Sequence, residues 1–152
     1  MTHLGDPAVR HRILQRIATL NPASNRHWGR MTAHQMICHL ADSFRVPLGE
    51  KHASPASNLY KRTVLKWVAL YAPMHWPQGV ATRPELDQRT GGALPDDFLS
   101  DRGDLISLIE RFADPKRRAS WAAHPIFGEM CDREWLRWGY LHTDHHLRQF
   151  GA

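Results

Sequence analysis

The sequence predicts an all-α protein, and three observations support this fold class. Apolar residues recur at helical spacing in five separate segments of the 152-residue chain. Residues that favour helix starts and helix ends flank these segments. Strand-like alternation, internal repeats and low-complexity tracts are absent from the sequence. We therefore expect a four-helix bundle with a long crossover, containing an extra helix, between the second and third bundle helices.

The first helix is predicted over about residues 6–20. Asp6 can cap its start with a side-chain acceptor, and Pro7 suits the first helical position. Asn21 and Pro22 are expected to end it. Its apolar positions are Val9, Ile13, Leu14, Ile17 and Leu20.

The second helix is predicted to open at Thr32, where Gln35 completes a capping box. Pro47 and Gly49 are expected to end it. His39 borders the apolar stripe of this helix, so its side chain can point into the bundle. The stripe consists of Ala33, Met36, Ile37, Leu40 and Phe44.

A long connection follows over residues 48–95, rich in Pro and Gly, and is expected to cover the surface or the open end of the bundle. An apolar segment within it predicts the extra helix over about residues 59–71. The third bundle helix is predicted over about residues 97–113, with Asp114 and Pro115 closing it.

The last helix is predicted to begin near Cys131 and Asp132 and to continue to Gln149. Glu134 stands where the acid of a capping box belongs. Gly151 is expected to end this helix, which completes the set of four.

The composition, 42% hydrophobic and 23% charged, is that of a globular protein, and we expect a single domain over residues 1–152. No apolar run suits a membrane span or a secretory signal, so we expect a cytoplasmic protein without a membrane partner. Cys38 and Cys131 are expected to be reduced, and Cys38 to pack. The net charge of +5 is spread along the chain, which disfavours nucleic acid as a partner. The densest basic cluster, interpreted as a solvated helix end or loop, is Lys116, Arg117 and Arg118.

His142 and His146 carry the main functional signal. Four residues of separation rotate the second imidazole by only about 40° from the first, so both can bind one metal ion. His39 can supply a third nitrogen, and a three-histidine site leaves coordination positions open for water or substrate. The residues alone leave an alternative, in which His39 is an ordinary boundary histidine and the segment HTDHHLRQF is polar helix surface.

The sequence also predicts roles for polar residues close to these histidines. Gln35 and Asp42 lie one turn on either side of His39, where each could orient it or a bound water, although capping is the favoured role of Gln35. Asp144 and His145 project away from the face of the two metal-binding candidates on the last helix and are expected to be solvated.

Three stretches of the chain resemble the DinB-like superfamily of metalloenzymes: WGRMTAHQMICHLADSF (28–44), HPIFGEM (124–130) and EWLRWGYLHTDHHLRQFG (134–151). The resemblance implies a four-helix bundle of DinB-like type and one divalent metal ion, zinc or nickel. It also implies that one histidine of the second helix and two of the last hold this metal, which are His39, His142 and His146 here.

Characterised relatives in this superfamily include S-transferases that use low-molecular-weight thiols, along with isomerases and hydrolases. The first hypothesis is therefore a metal-dependent S-transferase or hydrolase that activates a thiol or water against a small-molecule substrate. The second is a non-catalytic binding or stress-response module stabilised by its metal. A nucleic-acid-associated protein is the least favoured hypothesis, and a homodimer is left open. The substrate pocket is expected where the three histidines meet, near Trp28, Trp135 or Trp138.

Overall fold

Helices form the regular structure of the chain. A computed structural model describes residues 1–116 and 120–152, and within these ranges no β-strand forms, apart from one isolated bridge between His124 and Gly128. The prediction of an all-α protein is confirmed for the described residues. The α-helices are α1 (Pro7–Thr19), α2 (Ala33–Arg45), α3 (Lys66–Tyr71), α4 (Phe98–Ala113) and α5 (Asp132–Gln149).

Helix starts lie where the capping signals predict them. The Asp6 carboxylate accepts hydrogen bonds from the Ala8 and Val9 backbone amides at the start of α1. Thr32 and Gln35 form both hydrogen bonds of a capping box at α2. The side chain of Asp97 caps α4, and Glu134 accepts from the Cys131 amide at α5. These bonds satisfy backbone N–H groups that have no partner inside a helix, which is why local sequence determines the helix starts.

The predicted extra helix is present but has two parts. A π-helical turn, Lys61–Leu65, leads directly into α3, so the backbone is wider in the first half of the segment than a regular α-helix. The chain between α2 and α4 also contains a 3-10 turn, Pro84–Leu86, which packs on α2. The long connection therefore lies against the helix that carries His39.

Contacts among the four long helices build the core. α2 packs on α4 and α5, and α1 packs on the same two helices. Gly139 lies where α5 meets its neighbours, because a Cβ atom there would come within 2.8 Å of the Phe112 ring. The most deeply buried core side chains include Leu4, Ile13, Ile17, Met36, Ile37, Leu40, Phe44, Leu105, Phe112 and Trp135.

Two further sequence predictions concern the cysteines and the basic cluster. Cys38 and Cys131 are free thiols, and Cys38 is buried as expected. Lys116 is exposed, while Arg117 and Arg118 of the same basic cluster lie outside the described residues. No helix in the described part of the chain is long and apolar enough to cross a membrane.

Candidate metal centre

His39 on α2 meets His142 and His146 on α5. The ring centroids of the three imidazoles lie 4.8 to 5.2 Å apart, and one nitrogen from each ring lies within 4.8 Å of the others. His142 and His146 share a face of α5 because they are one helical turn apart. The three residues named from the sequence as metal ligands are therefore brought together and could hold a metal ion.

The spacing of the ring nitrogens fits a tetrahedral metal site. Nε2 of His39 lies 3.3 Å from Nε2 of His142. Zinc–nitrogen bonds of about 2.0 to 2.1 Å in tetrahedral geometry place two ligand nitrogens roughly 3.3 Å apart. This pair consequently needs no rearrangement to reach ligand distance.

In His39 and His146, hydrogen bonds determine which ring nitrogen keeps a lone pair that can bind a metal. Nδ1 of His39 lies 2.8 Å from the Leu86 carbonyl oxygen, which can only accept, so Nδ1 carries the proton and Nε2 keeps its lone pair. Nδ1 of His146 likewise faces Oε1 of Gln149 at 2.9 Å. The amide of Gln149 is oriented by its donation to the Trp28 carbonyl, so it is the oxygen that faces His146. Such hydrogen bonds are the usual support of metal-binding histidines.

Burial keeps the three imidazoles neutral, which is the form that binds a metal. It lowers the pKa of His39, and it places the pKa of His142 and His146 well below the usual value, with the neighbouring histidines lowering both further. Nδ1 of His142 is buried and has no hydrogen-bond partner among the described residues. An unsatisfied buried nitrogen is expected where a water or ion belongs to the intact site.

Neither Gln35 nor Asp42 orients His39 directly. The side chain of Gln35 closes the capping box of α2, which is its favoured role. The buried Asp42 carboxylate instead accepts hydrogen bonds from Lys51, Gln88 and the Ala93 amide. Asp42 thereby fastens to α2 the same connection that supplies the Leu86 carbonyl, so its effect on His39 passes through the backbone.

The expectation that Asp144 and His145 are solvated is wrong. Asp144 forms ion pairs with Arg16 of α1 and with Arg148, at 2.7 and 2.9 Å. His145 is half-buried between the rings of Trp28 and Trp76, with centroid distances of 5.9 and 6.3 Å. Helical spacing does place both residues off the face of His142 and His146, but α1 and the loops that carry Trp28 and Trp76 cover the neighbouring face as well.

A cavity of about 810 Å³ opens beside the histidines. All three candidate ligands contribute to its wall, and so does His145. The aromatic residues named from the sequence, Trp28, Trp135 and Trp138, line it, together with Trp76 from the long connection. A metal held here would therefore face a space that a small molecule can enter.

His124 also lines this cavity, and its individual role is not predicted by the sequence pattern. Its Nδ1 accepts hydrogen bonds from the Ile126 and Phe127 amides, each 3.1 Å long. The ring stacks on Phe127 at a centroid distance of 4.5 Å, and burial lowers its pKa to about 3. The HPIFGEM segment thus forms a tight turn around a neutral imidazole, and the spacing of His124 from the two amides is the signal that could have revealed it.

A second group of potential ligands lies between α2 and α4. One carboxylate oxygen of Asp101 accepts from His34 at 2.7 Å, from the Asp96 amide at 3.1 Å and from the Cys38 thiol at 3.6 Å. Burial raises the pKa of Cys38 most, and the negative charge of Asp101 raises it further, to about 12. The thiol therefore stays protonated, and these groups satisfy one another as a link between the helices.

Comparison with known proteins gives one match. No curated protein and no solved structure matches the chain. Residues 8–152, almost the full length, match a family described as "Protein of unknown function (DUF1569)". The chain that carries this three-histidine site is therefore a member of the DUF1569 family.

Proposed function

We propose that this protein is a divalent-metal-dependent enzyme in which His39, His142 and His146 hold one zinc or nickel ion. The observation that supports it best is the convergence of three neutral imidazoles on the wall of an 810 Å³ cavity. Structural zinc sites usually close with four protein ligands, whereas three histidines leave a position for an exchangeable ligand. Imidazole ligands suit zinc and nickel alike.

The proposal includes the fold type. α1, α2, α4 and α5 are proposed to form a four-helix bundle of DinB-like type, in which the long connection after α2 supplies one side of the substrate cavity. The contacts of these helices, and the packing of Pro84–Leu86 on α2, support this arrangement. Bundle proteins often build metal sites from side chains that project inward from facing helices, as His39 and His142 do here.

The proposed reaction is a transfer to, or hydrolysis of, a small molecule. A bound divalent cation would lower the pKa of a thiol or a water and so provide a nucleophile near neutral pH. The chain itself would hold the ligand nitrogens through Leu86 and Gln149 and shield the site with Trp76 and Trp138. The cavity volume is that of ordinary small-molecule sites, and a low-molecular-weight thiol is a proposed cosubstrate.

The alternative is a binding or stress-response module whose metal only stabilises the fold. The near-complete burial of His39 and His146, 3% and 8% exposed, favours it. Cobalt substitution separates the two functions. A change in the visible spectrum of the cobalt protein on addition of a small thiol supports an open coordination position, and a spectrum that no added thiol changes supports the alternative.

The first experiment is metal analysis of the untagged protein beside His142→Ala. We expect one zinc or nickel per chain, lost in the variant. His11→Ala is the matched control, because His11 is an exposed histidine of α1 away from the site, and it should keep the metal. A fully metallated His142→Ala protein, or a wild type that takes up no metal after incubation with zinc and nickel, contradicts the proposal.

A further inference from the structure

His124 presents one polar atom to the cavity. Both hydrogen bonds of its ring use Nδ1 as the acceptor, so the proton of this neutral imidazole must be on Nε2. No described residue hydrogen-bonds to Nε2, and Nε2 is not among the described buried polar atoms that lack a partner. Nε2 is therefore solvent-accessible, and the surface to which His124 contributes is the cavity wall.

Packing and hydrogen bonds fix the orientation of the His124 ring, so Nε2–H keeps its direction. Phe127 stacks on one face with an interplanar angle of 14°. The ring centroids of Trp135 and Trp138 lie 5.4 and 5.3 Å from that of the imidazole. Flipping the ring would also leave the Ile126 and Phe127 amides without their acceptor, which is unfavourable for groups shielded from water. His124 is 8% exposed, so only a small part of it can touch a ligand.

The location of His124 relates it to the proposed metal. The ring of Trp138 packs against two histidines, with centroid distances of 5.3 Å to His124 and 4.8 Å to His142. One aromatic ring therefore separates the imidazole of His124 from that of a candidate metal ligand, and both imidazoles line the same cavity.

The remaining cavity wall indicates what a ligand of this cavity carries. Ile126, Phe127 and Trp138 make the surface next to His124 apolar. The charged residues of the wall are three arginines and one acid, namely Arg30, Arg83, Arg89 and Asp87. This balance favours an apolar ligand with a negative charge.

We propose that His124 is a substrate-binding residue that donates an Nε2–H hydrogen bond to an acceptor oxygen of an apolar carboxylate. The inference rests on the proposed function in one respect, because it takes the cavity as the substrate site. His124 itself is no ligand of the proposed metal, and the donor is present with or without a metal ion.

The test uses three probes of similar shape: benzoate, acetophenone and ethylbenzene. Binding to the full-length protein is followed by NMR, with histidine ring nitrogens labelled, in zinc-loaded and chelator-treated samples. We expect His124 to carry its proton on Nε2. Acetophenone should bind roughly 2- to 10-fold more tightly than ethylbenzene, as one hydrogen bond provides, and benzoate more tightly still.

Two substitutions isolate the donor. His124→Asn keeps an acceptor near the position of Nδ1 for the Ile126 and Phe127 amides but removes Nε2. It should abolish the preference of acetophenone over ethylbenzene and leave zinc content unchanged. His124→Gln can return an N–H to the position of Nε2, and should recover part of the preference.

The possible results are distinguishable. A ring protonated on Nδ1, an oxygen preference that survives His124→Asn, or a wild type that binds no probe or has no such preference overturns the inference. Zinc binding without an oxygen preference contradicts this inference alone. An oxygen preference without zinc or nickel binding contradicts the proposed function alone.

Discussion

Three buried histidines in the described part of this protein, His39, His124 and His146, differ in the role that their hydrogen bonds leave to Nε2. His39 and His146 donate through Nδ1, which leaves Nε2 as a lone-pair donor for a cation. His124 accepts through Nδ1, which leaves Nε2 as a hydrogen-bond donor. The same side chain therefore presents a lone pair at two positions and an N–H donor at a third in one cavity, and the backbone or amide group at Nδ1 determines which.

Gln149→Met tests this control at a single residue. Methionine fills a similar volume, but it removes the oxygen that accepts from His146 Nδ1. Loss of such a supporting hydrogen bond usually weakens metal binding about 10- to 100-fold. Zinc affinity, measured by competition with a chromophoric chelator, should fall by that factor.

The control for this substitution is Gln15→Met, because Gln15 is exposed on α1. It should leave zinc affinity unchanged. Wild-type affinity in Gln149→Met would show that Gln149 does not hold the ring.

At the residue scale, the sequence could predict the candidate metal ligands better than the groups that support them. His142 and His146 are visible because helical spacing alone places them together, and His39 because it borders an apolar stripe. The partner of His39 is a backbone carbonyl, and any residue type at position 86 offers one. The cover over His145 comes from Trp28 and Trp76, which are distant in sequence, so its burial could not be read from α5.

At the scale of elements, the long connection matters as much as the helices. It supplies the Leu86 carbonyl to His39 and the Trp76 ring to the cavity. Its attachment to α2 is concentrated on Asp42, whose carboxylate is 2% exposed and pairs with Arg45 and Lys51. The buried Asp42 side chain thus helps to position the connection that orients His39, the candidate metal ligand on the same helix.

Asp42→Asn tests this attachment. The substitution leaves Lys51 without its ion-pair partner and Arg45 with Asp104 alone, and both cations are partly exposed. The cost should lie between the about 1 kcal/mol of an exposed pair and the about 3 to 5 kcal/mol of a buried one, at about 2 kcal/mol. We expect the free energy of unfolding in urea to fall by roughly that amount. Hydrogen exchange at the Ala93 amide, which donates to Asp42, should become faster.

Asp104→Asn is the matched control. Asp104 pairs with the same Arg45, but its side chain is 47% exposed, so the loss should stay within about 1 kcal/mol. Equal destabilisation by both substitutions would mean that Asp42 does not anchor the connection.

Helix boundaries were the best predicted part of the fold, since capping depends on neighbours in sequence. The predicted starts at Asp6, Thr32 and Asp97 are confirmed by cap hydrogen bonds. The π-helical turn before α3 was not predicted, because apolar spacing in residues 59–71 suits a regular helix equally well. The course of the long connection depends on Asp42 contacts 46 and 51 residues apart in sequence, which no local pattern records.

At the scale of the whole molecule, the cavity concentrates uncharged histidines in a protein of net charge +5. Keeping an imidazole neutral in the folded state has a thermodynamic consequence, because the unfolded chain can protonate it. Among them, His124 is a buried histidine that is not itself a candidate metal ligand. It connects the stability of the whole chain to pH.

His124 should make the protein less stable in acid. Burial lowers its pKa to about 3, whereas the pKa of an exposed histidine in the unfolded chain is about 6.5. Between these values the unfolded chain binds the extra proton, so the contribution is complete above pH 6.5 and is lost as the pH falls. The slope approaches about 1.4 kcal/mol per pH unit below pH 6.

Urea unfolding of the wild type and His124→Asn at pH 7.5, 6.0 and 5.0 measures this slope. The variant has no imidazole at this position, so the wild type should lose stability faster between pH 6 and 5, by about 1 kcal/mol more. His52→Asn is the control, since His52 is exposed, and its curve should run parallel to that of the wild type. If the curve of His124→Asn is parallel as well, the His124 ring binds a proton as readily in the folded protein as in the unfolded chain, which contradicts its lowered pKa and the two hydrogen bonds that Nδ1 accepts.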